Sequence, residues 1–149
     1  MPSNDHPEPL GFILIDATRL LRAGVERALS EAGLGVTPGE GRVLAAIDVM
    51  GPVRQSEIAA RLSLEPMTVL GHVDRLEARG LVTRRPDPGD RRAKLIEARP
   101  EAADLLLRLR QVLSQVRARA MADFTAEEAA QLQALLRRLR DGLQAEVQA

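Results

Sequence analysis

The sequence contains no cysteine, no tryptophan and no tyrosine. Without cysteine there is no disulfide, no thiol redox sensor and no thiolate-bound zinc. Phe12 and Phe124 are the only aromatic residues, so the core has to be built from Leu, Val, Ile and Ala. Leu and Ala are strong helix formers, which makes a mainly helical fold the expectation. Lys94 is the sole lysine. Every other base is an arginine, whose planar fork fits phosphates and guanine edges better than an ammonium does. No apolar run reaches the length of a membrane span, and MPSNDHPEPL lacks the basic-then-apolar order of a secretory signal. A cytoplasmic protein without a membrane partner is therefore expected. Two isolated histidines, His6 and His72, do not make a transition-metal site, and no cofactor is expected.

What is present suits a globular chain. The 149 residues are 45% hydrophobic and 28% charged. Net charge is zero, but it is unevenly spread. Residues 1–53 carry 4 basic and 7 acidic side chains, residues 54–99 carry 10 and 7, and residues 100–149 carry 7 of each. The positive excess lies in the middle, where Arg84, Arg85, Arg91, Arg92 and Lys94 fall close together. Charge alone leaves two readings open, a nucleic-acid face or a solvated surface enriched in arginine.

Periodicity orders the chain. Residues 1–9, with three prolines, read as a flexible arm. Leu10, Ile13, Leu14, Ala17, Leu20, Leu21 and Val25 recur at helical spacing, predicting helix one over about 10–32. Thr37-Pro38-Gly39-Glu40 is a capping box that starts helix two, which stops at Gly51-Pro52. SEIAARLSL gives a short helix and a turn, and Pro66 opens the next helix, spanning 65–79 and closed by Gly80. Residues 81–98 read as a hairpin turning at PDPGD. A helix from Glu101 to about Met121 follows, and Thr125-Ala126-Glu127-Glu128 caps the last one.

The order α–α–α–α–hairpin–α–α is that of a winged helix-turn-helix with flanking helices. The expected organisation is a DNA-binding lobe at 36–98 and a helical dimerisation lobe from 10–35 and 99–149. The apolar stripes of the flanking helices find no partner in a winged-helix core. A second copy would bury them with two-fold symmetry. Leu10, Ile13, Leu14, Leu20, Leu132, Leu136 and Leu139 are placed in that dimer interface.

Residues 37–95 resemble the MarR (multiple antibiotic resistance) type of transcriptional regulators. PMTV at 66–69, VDRLEARGLV at 73–82 and DPGDRRAKL at 87–95 carry the likeness. It is strong in 37–95 and topological outside it. The resemblance implies a homodimer on a pseudo-palindromic operator, with recognition helices in the major groove and wings in the minor groove. It also implies repression released by a small phenolic or other anionic ligand bound between the lobes. The chain departs from the family at several points. Relatives carry a bulky aromatic near Gly41, which predicts a looser core around helix two here. Relatives place Ser-Arg or Thr-Arg where this chain has Leu70-Gly71, and an apolar residue where it has His72.

Helical geometry puts Val69, Val73 and Leu76 on the buried face and Gly71 in the middle of the opposite one. Glycine there costs roughly 1 kcal/mol against alanine. Either it lets the backbone approach DNA closely, or it marks a lost base-reading arginine. Met67, Thr68, Leu70, Gly71 and Arg75 are the candidate groove contacts, Leu70 through a thymine methyl. Arg84, Arg85, Arg91, Arg92 and Lys94 are candidates for phosphate or minor-groove contact, with Gln55 and Ser56 at a helix start as further phosphate ligands. Arg84 and Arg85 have carboxylates of the hairpin as competing partners. At least one of Arg91 and Arg92 is expected to pair with Asp87 or Asp90, the residues that shape the wing turn. His72 reads as a half-buried structural histidine. No nucleophile–base pair and no Gly-rich phosphate loop is present, so an enzyme is not expected. A winged-helix protein-interaction module with weak DNA binding is the competing function.

Overall fold

The computed structural model describes residues 7–148; the first six positions of the expected arm, with His6, lie outside them. The chain is mainly helical. Helices α1 (Leu10–Glu31), α2 (Pro38–Met50), α3 (Gln55–Leu62), α4 (Pro66–Ala78), α5 (Ala103–Ala120) and α6 (Ala126–Gln148) accompany three short strands. A 3-10 turn at Pro100–Ala102 opens α5. The winged helix-turn-helix is there, with helices on either side of it.

Local chemistry sets the boundaries. The Thr37 hydroxyl accepts from Glu40 N at 3.2 Å, and Thr37 N donates to Glu40 Oε2 at 3.1 Å. Thr125 and Glu128 repeat the arrangement ahead of α6. Helix α4 ends in a paired C-terminal cap. Gly80 (φ 69°) takes the left-handed conformation, Gly80 N donates to Glu77 O and Leu81 N donates to Leu76 O.

The sheet differs from the expected hairpin in having a third strand. Strands β2 (Val82–Asp87) and β3 (Asp90–Ala98) form the wing, and β1 (Val53–Arg54) pairs with the far edge of β3. Its register is Val53 to Ile96 and Arg54 to Leu95. Two residues between a Gly-Pro break and a helix leave no alternation to detect. Their effect is large, because β1 hands the chain directly into α3 and ties the start of that helix to the wing.

The core is aliphatic throughout: Val43, Leu44, Ile47, Ile58, Val69, Val73, Leu76, Val82, Ile96 and Leu109 are all but inaccessible. The expected loosening at Gly41 does not occur. Gly41 is buried, and a Cβ there would stand 3.2 Å from Leu109 Cδ2 and 3.5 Å from Leu29 Cδ1. Leucines from α5 and α1 fill the space that an aromatic ring would take.

The chain divides into two compact units, Met1–Val116 and Arg117–Ala149. Leu29 and Leu34 before the winged helix, and Ala102, Leu106 and Leu109 after it, belong to the same buried cluster as Leu44 and Val73. Arg110 of α5 also forks onto Asp48 of α2, with contacts of 2.9 and 2.7 Å. No helix among the described residues is long and apolar enough to cross a membrane.

Candidate nucleic-acid interface

Helix α4 buries Val69, Val73 and Leu76 completely. Its opposite face carries Met67, Thr68, Asp74, Arg75 and Ala78 in the open, with Leu70, Gly71 and His72 half-buried. Gly71 has an ordinary helical backbone, and a Cβ built on it meets only the tip of Arg75, at 3.4 Å. Nothing among the described residues requires a glycine there. Gly71→Ala is therefore expected to raise the stability of the free protein by roughly 0.5–1 kcal/mol. Thermal unfolding followed by circular dichroism checks this, and a lower melting temperature would reveal a contact that needs the bare backbone.

Arg75 has a partner. Its Nε donates to Glu40 Oε1 at 2.7 Å and its Nη2 to His72 Nδ1 at 2.8 Å. Glu40 is buried, and its other oxygen caps α2. Burial pushes its pKa up, but the hydrogen bonds from Arg75 and Thr37 and the nearby positive charge outweigh this and leave it lowered. Arg75 thus neutralises a buried carboxylate and locks α4 to the start of α2, instead of standing free over the groove as expected. His72 is half-buried, with its ring over Gly39, where an added Cβ would lie 2.5 Å from Cε1. Because a guanidinium only donates, Nδ1 accepts and the imidazole is neutral.

Burial, then the charges of Arg75 and Arg42, lower the His72 pKa against the opposing pull of Glu40. The unfolded chain therefore takes up the His72 proton first, near its ordinary pKa of about 6.5. The stability that neutral His72 contributes is full above that value and lost as pH falls below it. Glu40 adds a second loss below about 4.5, its ordinary value, because its folded pKa is also depressed. Denaturant unfolding between pH 7.5 and 5 is expected to show falling stability in the native chain and a flat profile in His72→Gln. An identical decline in both proteins would assign the titration elsewhere.

The wing is tied down by carboxylates. Arg84 pairs with Asp74 at 2.6 Å and with Glu77, both on α4, and its side chain is mostly buried. Arg85 meets Glu97 across the hairpin at 3.2 Å. At the tip, Asp87 accepts from Gly89 N at 2.8 Å and Asp90 accepts from Arg92 N at 3.0 Å. The first of these bonds and then the Arg54 guanidinium hold the Asp87 carboxyl below the usual range. The cation on these aspartates is not Arg91 or Arg92, as expected, but Arg54. Its Nε lies 2.7 Å from Asp87 Oδ2 and its Nη1 3.9 Å from Asp90. Arg54 sits 33 positions before Asp87, and only the pairing of β1 with β3 brings them together.

This pairing leaves Arg91, Arg92 and Lys94 exposed, with no side-chain ion pair among the described residues. Lys94 also lines a cleft of about 310 Å³ between the wing and the start of α3, with Arg54, Arg84, Gln55 and Ser56. Ser56 is exposed, and Gln55 Nε2 donates to Pro66 O at 3.3 Å, linking α3 to α4. A second cleft, about 370 Å³, is apolar along Ala45, Ala46, Val49 and Leu113, with Arg42 and Arg61 beside it.

The residues placed in a dimer interface divide by exposure. Leu10, Ile13 and Leu20 of α1 are exposed, as are the neighbouring Phe12, Ile15 and Leu21, while Leu14 is half-buried. On α6, Leu136 is exposed and Leu132 and Leu139 are half-buried. Within the chain, Leu29 is the one fully buried residue of α1, and α6 has none among its described residues.

Comparison with known proteins follows the same outline. The sequence profile of the MarR family matches residues 36–94. The HTH-type transcriptional repressor NicR of Pseudomonas putida is 35% identical over 98 residues, 66% of this chain. That match spans 62% of NicR's own length. The solved structure of the transcriptional regulator PA3341 superposes with a TM-score of 0.75 at 30% identity, covering 92% of this chain and 99% of that one. A mutant MarR from E. coli, complexed with operator DNA, gives 0.64 at 25% identity, covering 88% and 93%.

Proposed function

The chain belongs to the MarR family, and on that premise we propose that it is a homodimeric DNA-binding repressor of transcription. The observation that carries this reading is the division of its cations. Arg54, Arg75, Arg84 and Arg85 are engaged by carboxylates and shape the lobe. Arg91, Arg92 and Lys94 of the wing are exposed and have no side-chain ion pair among the described residues.

Helix α4 enters the major groove through Met67, Thr68, Leu70 and Gly71, and the wing cations take phosphates and the adjacent minor groove. Ser56 and the start of α3 hold a further phosphate. Arg75 and Arg84 position these elements without reading bases. Helix α1 leaves Leu10, Phe12, Ile13, Leu20 and Leu21 exposed, and a second copy covers these apolar side chains. Two-fold symmetry then calls for a pseudo-palindrome whose half-sites lie about one helical turn, roughly 34 Å, apart. The cleft beside Arg42 and Arg61 suits a small apolar anion. Such a ligand releases DNA only if it prefers a different spacing of the two recognition helices.

Fluorescence anisotropy tests the reading, using duplex DNA from the region upstream of the protein's own gene and a scrambled duplex, each at two salt concentrations. Selective binding that weakens steeply with salt supports it, because each neutralised phosphate releases counterions. Equal, weak binding to both duplexes favours the competing function, a winged helix that docks on a protein.

A further inference from the structure

The face that α4 turns outward has few hydrogen-bonding side chains to spare. Its one arginine, Arg75, is committed to Glu40 and His72, and Arg79, just past the helix end, donates to the Gly35 carbonyl at 2.6 Å. Asp74 holds Arg84. Gln55, the amide that α3 brings nearest, donates to Pro66 O. Swinging Arg75 away toward a base would strand the buried Glu40 carboxylate without its counter-charge, a costly exchange. Left facing outward are Met67, which is 74% exposed, Thr68, Leu70 and the gap at Gly71. Neither Met67 nor Leu70 packs on the buried cluster.

Each base pair shows the major groove a distinct set of groups. Guanine is read by an arginine or lysine fork on O6 and N7, and adenine by an asparagine or glutamine amide. This surface has neither to give. The one apolar group on the floor of the major groove is the thymine C5-methyl. The thioether of Met67 is soft and adaptable, Leu70 is a fixed apolar contact, and Thr68 adds a methyl of its own. The missing side chain at Gly71 lets this apolar patch sit closer to the floor than a helix with arginine there would.

We propose that the protein selects its operator half-sites through thymine methyl groups, received by Met67, Thr68 and Leu70 around the gap at Gly71. This rests on the DNA-binding reading above. It predicts half-sites in which thymines under α4 are discriminated and guanine is not read from the major groove.

The test begins with duplexes selected by the full chain from a random-sequence library. In the tightest binder, the thymines of one half-site at a time are replaced by deoxyuridine, which removes the C5-methyl and keeps every hydrogen-bonding group. Guanines are replaced separately by 7-deazaguanine, which removes the N7 acceptor. Uracil substitution under α4 is expected to weaken binding about fourfold per methyl lost, the cost of leaving one methylene-sized group unburied. The 7-deazaguanine duplex is expected to bind as before. In a Met67→Ala, Leu70→Ala double variant, checked for an unchanged melting temperature, the thymine–uracil difference should shrink to the share received by Thr68 while salt dependence persists.

Equal affinity for thymine and uracil duplexes overturns the inference and leaves the repressor reading intact, and so does a uracil effect that survives undiminished in the double variant. Failure to enrich any sequence, with equal binding to scrambled DNA, removes the DNA-binding reading and this inference with it.

Discussion

Leu109→Ala is expected to lower stability by about 3 kcal/mol, within the range for a fully buried leucine. The lower part of that range applies where neighbours collapse into the space. Here the facing position is Gly41, which has no side chain to move in, and Leu29 packs on the same glycine. Both belong to helices pinned elsewhere, α2 by its capping box and α1 by its own buried end. The void stays largely open, and its lining loses contacts outright. Gly41→Ala tests the geometry from the other side. Alone it forces Leu109 to give by a few tenths of an ångström, since its Cβ arrives 3.2 Å from Cδ2. Combined with Leu109→Ala it fills part of the void, so the two changes together are expected to cost clearly less than their sum. With no tryptophan or tyrosine to report, the transition has to be followed by circular dichroism, at one fixed protein concentration because the stability of the proposed dimer would depend on it. Strict additivity, or a loss below about 1 kcal/mol for Leu109→Ala, would contradict this packing.

The second large effect is on DNA affinity. Replacing Arg91, Arg92 and Lys94 together by alanine is expected to weaken binding roughly 100-fold near 0.1 M salt and to flatten the salt dependence by about 2–3 units of slope per protomer. Stability should barely change, because these side chains are exposed and unpaired among the described residues. Arg84→Ala should behave in the opposite way. It removes the partner of Asp74 and Glu77 and loosens the wing from α4. The melting temperature falls, and the salt slope stays near that of the native chain. Measuring affinity at five or six salt concentrations for both variants separates the cases. If Arg84→Ala flattened the slope as much as the triple variant, the division of cations drawn from the ion pairs would be wrong.

Gly71 and His72 show how far a helical projection of the sequence reaches. The spacing of Val69, Val73 and Leu76 was enough to turn Gly71 outward, because the angle between positions on a helix depends only on their separation. It was not enough to show what stood beside it. The Arg75–Glu40 bond spans 35 positions and that of Arg110 with Asp48 spans 62. No local rule pairs them. The same limit hid Arg54 as the cation of the wing tip, and it hid the leucines that replace an aromatic ring at Gly41.

What the sequence by itself determined is what neighbours within about one helical turn decide. The capping boxes at Thr37 and Thr125, the proline start at Pro66, the glycine stop at Gly80 and the apolar stripes are all interactions between residues a few positions apart. Helix order and the winged helix followed from them. Which arginines are spent on structure and which are left for a partner was decided only by the tertiary structure. An ion pair forms between whichever charges the packed elements bring within about 4 Å, and packing is set by buried apolar area, which is indifferent to which arginine rides on the surface. Five wing cations and Arg75 look equivalent in the sequence. Folding committed Arg75, Arg84 and Arg85 to carboxylates and left Arg91, Arg92 and Lys94 to face the solvent.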